Sequence, residues 1–264
     1  MSPQRQRAAH RGTRPAGPHA ATLATQPARG RARASHSLEA ILTEAVALLD
    51  TSGEPALTFR ALAARLGGGA ASIYWYVSSK NELLDRAADH VLGEVLVAVE
   101  GVGAGIGTGV GGGGDPLDEP LDDLRTIALA LFDAVVDRPW LGAYFLRDTG
   151  VQPNGLRLYE LLGQQVLRLH LTPRQSFHAV SAVVGFVVGT AADMGQQPSE
   201  AAPAGEVDGA DELARHADEW RALDPDEFPF VHHIVDEFAV HEDAEQFRAG
   251  LDLILSGLRQ QARG

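Results

Sequence analysis

The sequence predicts an all-α fold, and three observations predict it. Apolar residues recur at helical spacing through nearly every stretch between breaks. No segment shows the sustained alternation, bounded by turn pairs, that strands require. The breaks themselves are glycine- and proline-rich connectors. With 264 residues, 45% of them apolar and 22% charged, the chain has material for about two domains and a sizeable core.

Taken in order, residues 1–34 read as a disordered leader in which Arg5, Arg7, Arg11, Arg14, Arg29, Arg31 and Arg33 stand without a single acid. Leu38, Ile41, Leu42, Ala45, Val46, Leu48 and Leu49 then form one broad stripe, with Ser35 or Ser37 as its cap. A short helix capped by Thr58 places Leu62, Ala63 and Leu66 on one face, and Gly67 ends it in a left-handed turn. A second short helix over residues 70–77 follows at once, and a longer one runs from Asn81. Residues 101–115 are a flexible glycine-rich insert. It contains Gly-x-Gly-x-x-Gly over residues 107–112, but a helix precedes it and Asp115-Pro116 follows. A dinucleotide fingerprint needs a strand before and a helix after, so this match is compositional.

Beyond Pro116 and Pro120, the helical pattern returns in Leu121, Leu124, Ile127, Ala128, Leu131, Phe132 and Val135, and again in Leu156, Tyr159, Leu162, Val166 and Leu169. Pro173 opens a long helix with Phe177, Val180, Val183, Val184 and Val187 and little charge before Asp193. A flexible loop over 196–209 and a turn over 223–230 precede a final helix carrying Phe247, Leu251, Ile254, Leu255 and Leu258.

Composition narrows the function. The chain has no cysteine, which excludes disulfide frameworks, thiolate metal sites and a cysteine nucleophile. No apolar run approaches the roughly 18 residues needed to cross a bilayer, and the N-terminus lacks an apolar signal core, so a cytoplasmic protein with no membrane partner is expected. The net charge is −13, but it is unevenly spread: residues 1–35 carry seven bases and no acid, 36–86 four bases and six acids, and 87–264 eleven bases and 29 acids. The leader has two readings, an arm leaning on phosphates or a tail with no fixed role.

Two short helices joined by a glycine turn are the helix-turn-helix layout, whose second helix enters the major groove. That groove, about 12 Å wide, admits one helix that exposes polar and aromatic tips. Ser72, Tyr74 and Tyr76 supply such tips, while Ile73 and Val77 face inward at i, i+4. Three consecutive aromatics on a helix span about 200° of arc, so they cannot all be buried; Trp75 suits the core or DNA equally. Arg60 opens the first helix of the pair, where its bland reading is a solvated side chain. Lys80 is the only lysine in the chain, and its place beside the groove suits a phosphate.

The run LTFRALAARLGGGAASIYWYVSSKNELL over residues 57–84 resembles the DNA-binding domain of the tetracycline-repressor (TetR) family of bacterial transcription regulators, near the branch of the tetracycline repressors themselves. Tyr74, Trp75, Lys80, Leu83 and Leu84 occupy the family's aromatic, lysine and double-leucine places. More loosely, Asp137-Arg138-Pro139-Trp140-Leu141 resembles that branch's Pro-Trp turn, and the residues from Phe247 through Gly250-Leu251-Asp252 to Leu258 its final helix. The resemblance implies that Arg60 reads a base edge, that Thr58, Tyr74 and Lys80 contact phosphates, and that Ser72, Trp75 and Tyr76 lie on or near the base-facing side. Gly68, Gly69, Ala70 and Ala71 depart from the larger residues of relatives, so the operator is not inherited. It further implies a head over 35–80, an effector and dimerisation domain over 81–264, and a homodimer through helices near 173–194 and 243–262. A small-molecule effector would release the protein from a pseudo-palindromic double-stranded operator.

Trp140, Tyr144, Phe145, Tyr159, Phe177, His178 and Phe186 are the candidates for an effector pocket; each is alternatively a core or solvated residue. A rival reading comes from His232/Asp236 and His233/Glu237, each pair four apart, with His241 beyond. Such pairs can bind a divalent ion, giving a metal- or partner-responsive regulator or, more remotely, a metal-dependent hydrolase; the bland alternative is a solvated helix face. No nucleophile or phosphate-loop signature is present, and the sequence predicts no catalytic residue, no resident metal and no cofactor.

Overall fold

The computed structural model describes residues 36–103, 115–147, 152–194 and 209–264, with the side chains of 209–212 left aside. The arginine-rich leader, most of the glycine-rich insert and nearly all of the 196–209 loop lie outside the described residues. Among those described there are eleven helices and no strand.

The first helix, α1 (Leu38–Ala56), starts at Ser37, whose Oγ accepts the Ala40 amide at 3.1 Å, and buries Ile41, Leu42, Ala45, Val46, Leu48 and Leu49. Gly53 sits at φ 68°, ψ 176° with Pro55 just beyond, so the last turn is set off at a kink. α2 (Phe59–Arg65) and α3 (Ala70–Tyr74) follow, joined through Gly67 at φ 69°. α3 is shorter than the sequence predicts. The amides of Tyr76 and Val77 both turn back to the Ile73 carbonyl, which swings Val77 into the core at 1% exposure and leaves Trp75 and Tyr76 on a turn. α4 (Lys80–Ala98) begins one residue before the expected start.

The remaining helices are α5 (Asp118–Val136), α6 (Pro139–Phe145), α7 (Pro153–Leu167), α8 (Pro173–Met194), α9 (Gly209–Arg221), α10 (Pro229–Val240) and α11 (Asp243–Arg263). Proline lies in the first turn of α6, α7 and α10, where its missing N–H has no helical partner to lose. α8 packs on α5, α6, α7 and α11, and α1 packs on α2, α4 and α6. One hydrophobic core runs from Ile41 to Leu258, and residues 35–264 cluster as one unit.

The final helix explains its own sequence signature. Phe247 is fully buried and stacks on Phe132 of α5 at 3.7 Å and on Phe186 of α8 at 5.3 Å. A side chain at Gly250 would collide with the Phe186 ring, Leu251 is fully buried, and Asp252 pairs with Arg125. Farther along, Arg259 and Arg263 pair with Asp115. Asp252, Arg259 and Arg263 of α11 are therefore paired within the chain, whereas Leu253 is 76% exposed and Gly257 is open.

α8 corrects one expectation. It is long and apolar enough to cross a membrane by length and composition; the serine, glycine and histidine scattered through it had hidden that in the sequence. In the fold its apolar side chains Val180, Val183, Val187 and Ala191 are buried in the bundle, and the exposed positions include Ser181, Ala182, Gly185 and Gly189. α9 and α10 pack chiefly on each other. Trp220 stacks on Phe238 at 4.1 Å, and buried Ala217 and Val235 lie outside the main core.

Candidate nucleic-acid interface

Local sequence fixes how α2 and α3 present their side chains. Thr58 caps α2 by accepting the Ala61 amide at 3.1 Å, which leaves Thr58 and Arg60 exposed while Leu62 and Ala63 are buried. In α3 the Ser72 hydroxyl donates to the Gly69 carbonyl at 2.7 Å, and Ile73 is fully buried. The inward face read at i, i+4 is thus realised. Tyr74 is 57% exposed, its ring edge-on to Phe59 at 4.4 Å, and Trp75 is 87% exposed. The two readings of Trp75 resolve in favour of the surface. Tyr76 is half-buried against the core.

A polar clasp holds the turn that carries these rings. Ser79 caps α4 by accepting the Glu82 amide at 3.1 Å, and the Glu82 carboxylate accepts both the backbone N–H and the hydroxyl of Ser78, at 2.8 and 2.6 Å. Those two bonds from Ser78, helped by Arg86, draw the Glu82 carboxyl down to about 2 from its ordinary 4.5. Lys80 is half-buried and donates from Nζ to the Glu54 carbonyl at 2.8 Å, tying the start of α4 to the end of α1. An ammonium has three donors, so one is committed to this junction. The Glu54 carboxylate is hydrogen-bonded by Arg147, which holds it below its usual range against the opposing effect of partial burial; the Lys80 charge adds to the pull.

The seven aromatic and histidine residues considered for an effector pocket are not all brought together. Trp140 and Tyr144 are buried on α6, with Phe145 half-buried and edge-on to Tyr144. Phe186 is half-buried in the ring stack of α8 and α11. Tyr159, Phe177 and His178 are exposed. His178 lines a cleft of about 230 Å³ with Ala182, Leu253 and Gly257, and a second cleft of about 250 Å³ lies between α4 and α5 around Val91, Glu94, Asp133 and Arg138. Both fall short of the roughly 300–1,000 Å³ of a small-molecule pocket.

The histidine-rich segment is committed elsewhere. A His232 ring nitrogen meets the Leu223 carbonyl at 2.8 Å, Asp236 pairs with Arg221 at 2.8 Å, and His241 meets the Phe238 carbonyl at 2.7 Å. Among the described residues no three His, Asp or Glu side chains converge on a metal position. The i, i+4 spacing had suggested convergence, but His232 bonds Leu223, Asp236 pairs with Arg221 of α9 and His241 bonds Phe238 of its own helix.

Several contributors escaped the sequence reading. Ser79-x-x-Glu82 is a capping-box signature that was legible. Phe59 behind Tyr74 and Glu54 beneath Lys80 were not, because no periodicity links those pairs. Asp50 joins them: it accepts the Trp140 Nε1–H at 2.7 Å and lies 3.6 Å from the Arg138 guanidinium. Asp50 and Glu54, one turn apart on α1, thereby grip both ends of α6.

Comparison with known proteins fits this geometry. Residues 41–87 match the family model described as bacterial regulatory proteins, tetR family, and residues 115–262 match the tetracyclin repressor-like C-terminal domain. An HTH-type transcriptional regulator of Saccharopolyspora erythraea is 31% identical over 150 residues, a match spanning 57% of each protein. The transcriptional regulator SCO7222 of Streptomyces coelicolor, a TetR, is 34% identical with a TM-score of 0.69 over 86% of this chain and 99% of its own. ActR of the same organism, solved with actinorhodin, shares the fold at 23% identity and a TM-score of 0.67 over 85% of this chain and 96% of its own. The Pro-Trp turn that hydrogen-bonds α1, the Phe-x-x-Gly-Leu-Asp helix that seats Phe186 and the clasped helix-turn-helix head have one common reading: this chain belongs to the TetR family of bacterial transcriptional regulators.

Proposed function

We propose that the protein is a homodimeric repressor that binds a pseudo-palindromic duplex through residues 35–80 and is released by a small organic effector acting on residues 81–264. The observation that carries the reading is the exposed Tyr74-Trp75 pair at the end of a short helix and the turn after it, backed by buried Ile73 and Val77. Arg60 has no side-chain partner among the described residues and its guanidinium suits a guanine edge, while Ser72, Trp75 and Tyr76 suit the base-facing side or its margin. Thr58, Tyr74 and the remaining donors of Lys80 suit phosphates. The chain works in the cytoplasm, beside its operator, and catalyses no reaction.

For the dimer, the supporting feature is the uncharged face formed by exposed Ala182, Gly185 and Gly189 of α8 and Leu253 and Gly257 of α11. Small residues let two copies approach closely across a two-fold axis. That symmetry would set two α3 helices about one DNA turn, roughly 34–36 Å, apart. ActR is the relative solved with actinorhodin, which favours an organic effector here. The α6 trio Trp140, Tyr144 and Phe145, with Phe186 of α8, is the part of the candidate pocket best placed to respond, because α6 is bonded to α1. The effector acts by favouring a state whose heads no longer match successive grooves.

The test is selection of binding sequences from a random duplex library by the purified full-length protein. Enrichment of an inverted repeat is expected, with α6 and α8 variants then altering effector release. Recovery of no duplex at low salt would overturn the reading.

A further inference from the structure

We propose that Asp89 is a positioning residue for operator recognition: from α4 it caps α7, and that pin sets the separation at which the two copies of α3 in a dimer meet the duplex. The inference deepens the dimeric operator reading and rests on it.

The sequence leaves the start of α7 without a cap of its own. The helix opens Gln152-Pro153-Asn154-Gly155, and Gln152 in the cap position makes no side-chain bond to the first turn. Pro153 has no N–H, so the amides of Asn154 and Gly155 are the first that need an acceptor from outside the helix. Asp89, 65 positions before Asn154, supplies it from α4: its Oδ1 accepts both amides, at 2.8 and 3.0 Å. The Asn154 side chain returns the bond, Nδ2 donating to the Asp89 carbonyl at 2.9 Å. A carboxylate on a helix N-terminus gains from the helix dipole as well as from the hydrogen bonds.

Packing closes the joint. One turn along α4, a Cβ on Gly93 would stand 3.0 Å from Asn154 Nδ2, and a Cβ on Gly155 would stand 3.4 Å from Leu92 Cδ1. Glycine at 93 and 155 thus lets the two helices approach where the bonds cross. A second polar tie from α4 to the body, Glu94 with Arg138 at 3.1 Å, uses a carboxylate that is 50% exposed, and an exposed pair of that kind holds little.

Leverage turns this local contact into a property of the head. α4 starts at Lys80, which is bonded to the end of α1 and follows directly on the turn that carries Trp75 and Tyr76. Asp89 lies farther along the same helix, about 13 Å from its start at 1.5 Å per residue. A tilt of about 10° at that point moves the start of α4 by roughly 2 Å. In a two-fold dimer the two heads together shift by roughly 4–5 Å, more than the approximately 3.4 Å of one base pair. A little freedom at the pin is therefore enough to blur half-site spacing, which a dimer reads as the distance between its recognition helices.

The experiment uses the full chain on the selected operator and on versions with one base pair added or removed between the half-sites. Affinities are read by anisotropy and folding by thermal melts. The parent is expected to bind the altered operators at least roughly tenfold more weakly than the selected one. Asp89→Ala should cut that ratio to about threefold or less, because its heads no longer hold one separation, while the penalty for a base substitution inside a half-site stays at the parent's value. Asp89→Asn keeps an acceptor oxygen for the two amides and should restore most of the ratio. Asn154→Ala, which gives up only the return bond of the three, should fall between. A merely structural cap would lower the melting temperature of Asp89→Ala and leave the spacing ratio at the parent's value. That result overturns the inference, as does a parent indifferent to spacing, and in both cases the DNA reading stands. Should Asp89→Ala not fold, a parent-like ratio in Asn154→Ala overturns it instead. If the parent selects no inverted repeat, the reading beneath falls too.

Discussion

Trp75 leaves almost its whole indole in water, next to a tyrosine about two-thirds as exposed. The two rings therefore separate stability from recognition. Trp75→Ala removes nothing that the fold uses, so its melting temperature should match the parent's while operator affinity falls by roughly 1–3 kcal/mol, as expected for an aromatic or base-edge contact. Tyr74→Ala loses the edge contact with Phe59 as well, about 0.5–1.5 kcal/mol, and should lower both the melting temperature and affinity. Paired thermal melts and anisotropy titrations read the difference. The Glu82 clasp gives a pH test at the same scale. Its carboxyl is held near 2 in the fold against an ordinary 4.5, so its stabilisation is complete above 4.5 and drains away as pH falls through about 2. Glu82→Gln should accordingly be less stable than the parent at pH 6, and the gap should close in melts carried toward pH 2.

At the scale of elements, α6 is the joint between the bundle and the head. On one side Gly142 is so close to α8 that a Cβ would stand 2.9 Å from the Ala192 Cα; on the other, Trp140 and Arg147 reach Asp50 and Glu54 of α1. These contacts link α8 to α1 through α6. Asp50→Ala strands the Trp140 N–H, and losing a bond to a charged group costs about 1.5–3 kcal/mol. Operator binding should persist in this variant while effector-driven release weakens, measured as the ratio of operator affinities with and without effector. The helices on either side were legible because burial repeats at 3.6 residues. The end of α3 was not, since Ile73 and Val77 at i, i+4 are satisfied equally by a helix and by the turn that replaces its last residues. The α1–α6 bonds were invisible for a plainer reason: Asp50 and Trp140 stand 90 positions apart, and no period spans that distance. The effector site was the least legible of all, because aromatics at helical spacing read alike whether they pack in a core, as Trp140 does, or face water, as Phe177 does.

For the whole molecule, charge and symmetry decide the behaviour together. Residues 87–264 are acidic, with 29 acids against eleven bases, and on the proposed reading two copies would meet through the uncharged α8–α11 face. Leu253→Glu would set two carboxylates toward each other across the axis. Sedimentation should then show monomers at micromolar concentration, and operator affinity should drop by two orders of magnitude or more as the second half-site contact is lost. The helix-turn-helix itself should keep its circular dichroism. Polarity along the chain was legible from residue counts alone, and the resemblance pointed to helices near 173–194 and 243–262 for the dimer, whereas the exposure of Gly185, Gly189 and Gly257 needed the fold.

The α9–α10 pair has a spectroscopic consequence. Its small private core, built on Trp220, Phe238, Ala217 and Val235, owes little to the rest of the bundle, so it should behave as a separate foldon. The chain has three tryptophans, and only Trp220 belongs to that pair. With Trp75 and Trp140 replaced by phenylalanine, the emission of the surviving indole should report an unfolding midpoint in urea below that of the far-ultraviolet signal. Backbone amides of residues 213–240 should trade their protons for deuterons well before those of α5 and α8.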